Sequence, residues 1–335
     1  MSRPPPALPL PLARAIEARL EGRPQAALRE SARRLSDNYR ARRSTREAIR
    51  DEGDALAYAL TRMPATYAAI SAVLGRLAEE QPGFAPRRLL DAGCGLGAAA
   101  YAAREVWPGL AAVTLLDRNA AFLALARALL AENGDAPLLE AQTVEADLLR
   151  LPAPSDAPYD LIVAAYALTE IAESALPAVV DSLWARASGA LVIVEPGTPR
   201  DHARLLALRD RLISLGATVV APCPHGAPCP MRAPDWCHFS VRLPRRRAHR
   251  LLKGADAPFE DEKFAYLALL REGGAPAPVR VIAPARVNKA GISLKLCTNK
   301  ALCETFIPKR EKARYERMHR KDWGDPLEAP AEENL

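Results

Sequence analysis

Arg88-Leu-Leu-Asp91-Ala-Gly93-Cys94-Gly95-Leu-Gly97-Ala-Ala-Ala-Tyr101 is the stretch on which the fold turns. A short apolar run ends in an acid, glycines recur at every second position, and an alanine-rich segment of helical character follows. Glycine can take positive φ and, lacking a Cβ, lets a ligand come close to the backbone. The helix start behind it offers unpaired N–H groups. A glycine triplet alone is weak grounds for a nucleotide-type site, so its surroundings matter.

Downstream, strands alternate with helices. Strands are expected at Ala112–Asp117, Thr143–Asp147 (weak), Tyr159–Ala165, Ala190–Glu195 and Ala217–Ala221, with helices over 98–106, 120–131, 177–187 and 200–215. Continuous apolar runs between helices imply a parallel sheet covered on both faces. His238–Leu243 alternates apolar and polar residues, as an antiparallel edge strand closing that sheet would. Upstream, residues 8–80 read as helices, a domain or cap of their own. Beyond Pro244 come a basic helix, a short β segment (279–283 with 292–297) and a final helix over 309–321. The expected organisation is a helical region 1–84, an α/β domain 85–243 with a cysteine insert at 222–238, a basic extension 244–325, and an acidic tail 326–335.

Asp117 ends the second strand twenty residues after Gly97, where an acid can grip ribose hydroxyls. Asp147 follows the third, where a carboxylate can accept from an adenine amino group. The D-x-G-x-G-x-G spacing, Asp117 and Ala146-Asp147 resemble class I S-adenosylmethionine (SAM)-dependent methyltransferases more than dehydrogenases. In that family the glycine loop supports the amino-acid end of SAM and the second acid holds its ribose. The resemblance implies a Rossmann-like α/β fold with a mostly parallel seven-stranded sheet. It also implies a SAM pocket drawn from Asp91, Gly93, Gly95, Gly97, Asp117, Asp147 and Tyr166. Catalytic residues stay unassigned: Ala164-Ala-Tyr-Ala-Leu-Thr-Glu-Ile171 is not the Asn/Asp-Pro-Pro-aromatic motif of amino methyltransferases, and no cysteine stands there to attack a pyrimidine. Tyr166 and Glu170 are candidates for a substrate pocket. Cys94, inside the loop, reads as a buried small residue.

Composition adds limits. Thirty prolines punctuate the periodic segments, and no apolar run reaches bilayer-spanning length. The proline-rich start lacks a secretory pattern. These features suggest a soluble, cytoplasmic monomer with no membrane association. The net charge of +6 is uneven: Arg242 to Lys321 holds twenty Lys and Arg against eight Asp and Glu. Such a surface favours a polyanion, and nucleic acid is the commonest.

Cys223, Cys229 and Cys237 crowd into fifteen residues, Cys223-Pro-His-Gly-Ala-Pro-Cys229-Pro-Met-Arg-Ala-Pro-Asp-Trp-Cys237. The C-x5-C-x7-C spacing is not that of a zinc ribbon, but stiff proline-rich loops can pin thiolates around a metal. A fourth ligand must come from Cys297, Cys303, His225 or His238. Four thiolates suit a cubane iron–sulfur cluster; zinc with a histidine is the alternative.

This cysteine run, continued by His238-Phe, and the closing Lys309-Arg310…Tyr315…Asp322-Trp-Gly-Asp325 resemble the mitochondrial small-ribosomal-subunit methyltransferase-like family, that of methyltransferase-like protein seventeen and its bacterial relatives. The resemblance runs from about residue 30 to Asp325. It implies association with the small ribosomal subunit and its rRNA during assembly. It also implies a [4Fe–4S] cluster on Cys223, Cys229 and Cys237, with Cys297 the best match for the fourth ligand. RNA contact is then expected from Arg245, Arg246 and Arg247 and from Lys309, Arg310, Lys312, Arg314, Arg317, Arg320 and Lys321, which spread charge over more than one helix face. Two functions follow: an rRNA-directed SAM methyltransferase, or a catalytically inactive RNA-binding assembly factor using the same fold and metal site.

Overall fold

A computed structural model describes residues 5–40, 48–152 and 157–328. Its main sheet contains β1 (Arg88–Ala92), β2 (Ala112–Asp117), β3 (Gln142–Glu145), β4 (Tyr159–Ala165), β5 (Ala187–Pro196), β6 (Thr218–Ala221), β7 (Phe239–Pro244) and β8 (Phe259–Leu270). The order is β3-β2-β1-β4-β5-β8-β6, with β7 paired to β8. β1 to β5 run parallel, and β8 is antiparallel to both β5 and β6. This is the class I SAM-methyltransferase fold expected from the glycine loop, with eight strands where seven were expected, β7 lying beside β8 off the path of the other seven.

Two cores explain why the strands read as unbroken apolar runs. Leu89, Val113, Leu161, Val163 and Val192 face one side of the sheet. Leu90, Leu116, Ile162, Leu191 and Ile193 face the other. Each such side chain taken out of water stabilises the fold by about 1.5–3 kcal/mol. The first side is covered by α1 (Leu10–Ala18), α2 (Gln25–Arg40), α3 (Glu52–Thr61), α4 (Met63–Glu80), α5 (Ala98–Val106) and α6 (Ala120–Ala131). Leu12, Leu56, Tyr67, Ile70 and Leu74 share one core with Leu89 and Val113, so the helical lead-in is a cap on the sheet. After a single-turn α7 (Ala136–Leu139), α8 (Leu176–Arg186) and α9 (Pro199–Ser214) cover the second side.

The strand that closes the sheet is not the one expected. Phe259–Leu270 inserts between β5 and β6, while Phe239–Pro244 pairs with its first half, Phe239 opposite Phe264 and Pro244 opposite Phe259. The sheet therefore continues past residue 243. Glu260-Asp-Glu-Lys263 and Ala265–Leu270 carry good helix formers, and β propensity yields to context. Here Phe264–Leu270 is buried between two strands.

A second sheet follows α10 (Arg247–Lys253) and β8. It is built from β9 (Val279–Val281), β10 (Arg286–Val287), β11 (Gly291–Thr298), β12 (Leu302–Pro308) and β13 (Pro326–Leu327), in the order β10-β11-β9-β13 with β12 beside β11. Val279, Val281, Ile292, Leu294, Leu296, Ile307 and Leu327 form its core. The final helix, α11 (Lys312–Met318), is shorter than the expected 309–321, because residues 309–311 form the turn that leaves β12 and residues 319–320 turn toward β13. The expected acidic tail begins in β13; residues 329–335 lie outside the described residues. Among the described residues, no helix is long and apolar enough to cross a membrane.

Candidate functional site

The glycine loop leaves β1 with Gly93 at φ +73°, Gly95 at +52° and Gly97 at +79°. Gly93 is fixed by packing as well: a Cβ there would meet the Ala167 Cβ at 2.5 Å. Gly93 and Cys94 donate their N–H groups to Leu116 O at 2.8 and 2.9 Å, tying the loop to β2. The loop opens on a cavity of about 140 Å³ lined by Asp91, Gly93, Gly95, Asp117, Asp147 and Tyr166. Gly97 does not line it; its left-handed backbone starts α5. Cys94 is buried, and that burial pushes its thiol well above the usual range.

Asp117 is the best-ordered acid. Its Oδ2 accepts from Gly95 N at 2.8 Å and its Oδ1 from Asn119 N at 2.8 Å. Asn119 in turn caps α6, accepting from Ala121 N and Phe122 N. Burial pushes the Asp117 carboxyl up, and the two backbone N–H groups pull it back. Each oxygen keeps a lone pair for a hydroxyl. Asp147 Oδ1 accepts from Leu149 N at 3.0 Å. Asp91 is completely buried, accepting from Ala100 N at 3.3 Å, and burial holds it well above the carboxylate range. It supports the loop from behind.

Tyr166 has φ +56°, uncommon for a residue with a Cβ. Its N–H donates to Val194 O at 2.7 Å and its hydroxyl to Glu262 Oε1 at 2.9 Å. β8, absent from the sequence expectation, thus holds the one aromatic residue assigned to the pocket. A second cavity of about 130 Å³ shares Tyr58, Thr66, Tyr166 and Glu170 with the first and adds Arg62, Arg200 and Asp201. Sequence reading missed the lid: Tyr58, Met63, Thr66 and Ile70 come from the capping helices. It also missed Arg118, which donates to Glu170 Oε2 at 2.9 Å and faces Asp147 at 4.0 Å. Its position directly after the acid expected to hold ribose was the available signal.

Cys223, Cys229, Cys237 and Cys297 line one small cavity beneath β6, with Pro222, His225, Met231 and Leu302 around them. Strand register separates Cys297 from Cys303. Cys297 pairs with Leu302 and Leu296 with Cys303, and cross-strand partners share a face. Cys303 therefore packs against the core of the second sheet, while Cys297 and Leu302 face the cavity. His238 is engaged elsewhere, stacked on Trp236 at 4.9 Å and edge-on to Trp323 at 4.8 Å. His225 Nε2 stands 3.9 Å from the Cys297 sulfur. Burial and the neighbouring Cys223 and Cys229 push Cys297 up to about 12. Burial, then Cys223, Cys229 and Cys297, raise Cys237 well above the usual thiol range. Thiols in this setting resist ionisation until a metal replaces their protons. Among the described residues, no three His, Cys, Asp or Glu side chains are arranged to grip a single ion.

Two buried guanidiniums hold this loop. Arg280 donates to Pro222 O at 2.8 Å and pairs with Glu80. Arg209 donates to His225 O at 2.7 Å and Ala227 O at 2.8 Å. Neither was foreseen, although Arg209 falls in the buried stripe Leu205, Leu208, Arg209, Leu212.

The basic residues divide. Arg245 pairs with Glu260 at 3.1 Å, and Arg246 grips Glu17 with Nε and Nη2 at 2.6 and 2.9 Å, fastening the segment after β7 to α1. Arg314 pairs with Glu311, Arg320 approaches Glu316, and Lys321 donates to Pro326 O. Lys309 lies 6.0 Å from the Tyr315 ring centre. Arg247, Arg310, Lys312 and Arg317 are exposed.

Comparison with known proteins places this geometry. The chain is 31% identical over 234 residues to the ribosome assembly protein METTL17, mitochondrial, of Homo sapiens, a match covering 66% of this chain and 49% of that one. It is 25% identical over 329 residues to the Rsm22-cox11 tandem protein 2, mitochondrial, of Schizosaccharomyces pombe, covering 82% and 43%. The chain thus spans about half the length of the curated relatives it matches. Magnesium protoporphyrin IX methyltransferase of Synechocystis PCC 6803 with bound SAM aligns over 72% of this chain and 97% of its own, at 14% identity and TM-score 0.41. The relatives are mitochondrial proteins, which overturns the cytoplasmic expectation. That expectation rested on the absence of secretory and membrane-spanning patterns, and such an absence does not fix the compartment. Residues 52–328 match the family described as Mitochondrial small ribosomal subunit Rsm22, and the chain belongs to that family.

Proposed function

We propose that the chain is an assembly factor of the small ribosomal subunit. In this reading the methyltransferase-like body holds SAM, the cysteine centre holds a [4Fe–4S] cluster, and the basic C-terminal face meets rRNA. The observation that carries it is the convergence of Cys223, Cys229 and Cys237 from the main body with Cys297 from the second sheet on one cavity. Four sulfurs dominate the donor set, with His202 and His225 also lining the cavity and no carboxylate among its lining residues; sulfur donors suit soft metals and iron–sulfur clusters. Zinc on three of these cysteines with His225, whose Nε2 stands 3.9 Å from the Cys297 sulfur, is the alternative occupant. A cluster held this way supplies a crosslink between the two sheets. It acts as a structural clamp for the RNA-facing unit.

In the cleft, Asp117 would take the ribose hydroxyls, Asp147 the adenine amino group, and the loop at Gly93 and Gly95 the amino-acid end. Bound SAM supplies an activated methyl group. The second cavity beside Tyr166 and Glu170 gives an acceptor somewhere to sit, which favours methyl transfer as a second reading.

Anaerobic purification followed by visible absorption and iron and sulfide assays tests the centre. The expectation is equal iron and sulfide, about four of each per chain; a colourless protein with one zinc overturns it. Asp117→Ala should abolish SAM binding in calorimetry. If that variant still supports subunit assembly, the methyl-transfer reading fails and the assembly-factor reading stands.

A further inference from the structure

Arg209 and Arg280 are both wholly buried, yet their charges are met differently. Arg280 is paired with Glu80, whose side chain is only 6% exposed. The carboxylate partner of Arg209 is Asp210 at 2.8 Å, whose side chain is 64% exposed and spends much of its charge on water. Two carbonyls of the cysteine loop occupy Arg209 Nη2. Its Nε–H is buried and has no nitrogen or oxygen partner. The guanidinium also acts on the Cys223 thiol, opposing the rise that burial imposes on it. A buried cation without a buried counter-charge is costly, and a thiol is a weak acceptor. A metal-bound thiolate would satisfy both needs.

Building on the metal reading of the four cysteines, we propose that Arg209 is the fixed counter-charge and N–H···S donor of the cysteine centre. Through His225 O and Ala227 O it also sets the path of the loop between Cys223 and Cys229. It is a positioning residue: it holds ligands and balances their charge. Hydrogen bonds to cluster sulfurs and nearby positive charge raise reduction potential and favour the ligated state. Arg280, already neutralised by Glu80, contributes geometry through Pro222 O and little net charge.

The test compares the wild-type full chain, loaded anaerobically and assayed for iron, sulfide and zinc, with Arg209→Gln, Arg209→Lys and Asp210→Asn. The readouts are the rate of metal release to excess chelator and, where iron and sulfide are found, the midpoint potential. Arg209→Gln should release metal at least tenfold faster and titrate at a more negative potential. Arg209→Lys, keeping charge without the two-carbonyl grip, should fall between it and wild type. Asp210→Asn touches only an exposed side chain, so it folds whatever happens in the interior; it should release metal more slowly and titrate at a more positive potential. Equal rates and potentials in wild type, Arg209→Gln and Asp210→Asn overturn the proposal. If Arg209→Gln does not fold, an unchanged Asp210→Asn overturns it alone. A chain that loads only zinc removes the iron–sulfur reading, and zinc-release rates still decide Arg209; a chain that loads neither metal removes both.

Discussion

Changing Glu80 to glutamine keeps the shape of the side chain and deletes one charge at a junction of three parts of the molecule. Glu80 ends α4 and lies against Arg280 of β9, with Nη2 to Oε2 at 2.8 Å. The same guanidinium donates to Pro222 O at 2.8 Å, before the cysteine loop, and to Gly324 O at 3.1 Å, beside β13. Arg76 Nε stands 3.7 Å from Glu80 as well. With Glu80 neutral, a wholly buried cation would lose its counter-charge and face a second guanidinium. Breaking a buried pair by removing one partner costs about 3–5 kcal/mol, which in a domain of this size corresponds to a fall in Tm on the order of 10 °C. Urea unfolding of the metal-free protein, followed by tryptophan fluorescence, measures it. The double variant Glu80→Gln/Arg280→Met should recover part of the loss, since an apolar side chain needs no partner there. A Glu80→Gln protein within about 0.5 kcal/mol of wild type would refute the reasoning, because it would mean the pair is solvated rather than buried.

Cys297→Ser should abolish metal loading and Cys303→Ser leave it intact, read by metal content; the reverse pattern would contradict the β11–β12 register. Burial, reinforced by Asp201, pushes Glu195 up to about 8. Its folded pKa lies above the unfolded value, so its contribution is complete below about pH 4 and is lost as pH rises through 8. Glu195→Gln, which retains an acceptor for Leu168 N, should remove that loss, and the two unfolding free energies should diverge by up to about 5 kcal/mol between pH 4.5 and 9; parallel curves would count against it. Lys312→Glu with Arg317→Glu should weaken RNA binding and reduce its salt slope by about two. Arg246→Glu should leave that slope unchanged, because its guanidinium is held by Glu17.

What could be read from sequence follows from the range of the interactions involved. The glycine loop, Asp117 and Asp147 are legible because a strand end, a turn and a helix start are local, and each residue type answers a local demand. β8 was not legible: Glu260-Asp-Glu-Lys263 with Ala265–Leu270 is as good a helix as a strand until β5 and β6 supply neighbours on both sides. The family resemblance already favoured Cys297 over Cys303; register supplies the physical reason, since one residue of slip reverses which of them faces the cavity. Charge counting found the basic C-terminal quarter and overestimated its free surface. It could not tell that Glu17 and Glu260, distant from each other in sequence, already hold Arg246 and Arg245.

The cysteine centre is best understood as a joint. Three thiols stand on the loop that leaves β6, and the fourth stands on β11 of the second sheet. Arg280 on β9 reaches back to Pro222 and Glu80, while Trp236 Nε1 donates to Gly197 O and His238 packs on Trp323. The Arg280 and Trp323 links cross between the methyltransferase-like body and the C-terminal unit, while Trp236 ties the cysteine loop to the body itself. A ligand that binds only the joined arrangement stabilises it according to its affinity, so under the proposed metal reading, loading would be coupled to docking of the basic unit. Cleft and centre are therefore different kinds of site. The cleft is complete within the main sheet and its helical cap, whereas the centre exists only when both sheets are in place. Loss of metal should act first on the orientation of the exposed Lys312 and Arg317 face, and on the SAM cleft only through β8, where Glu262 holds Tyr166.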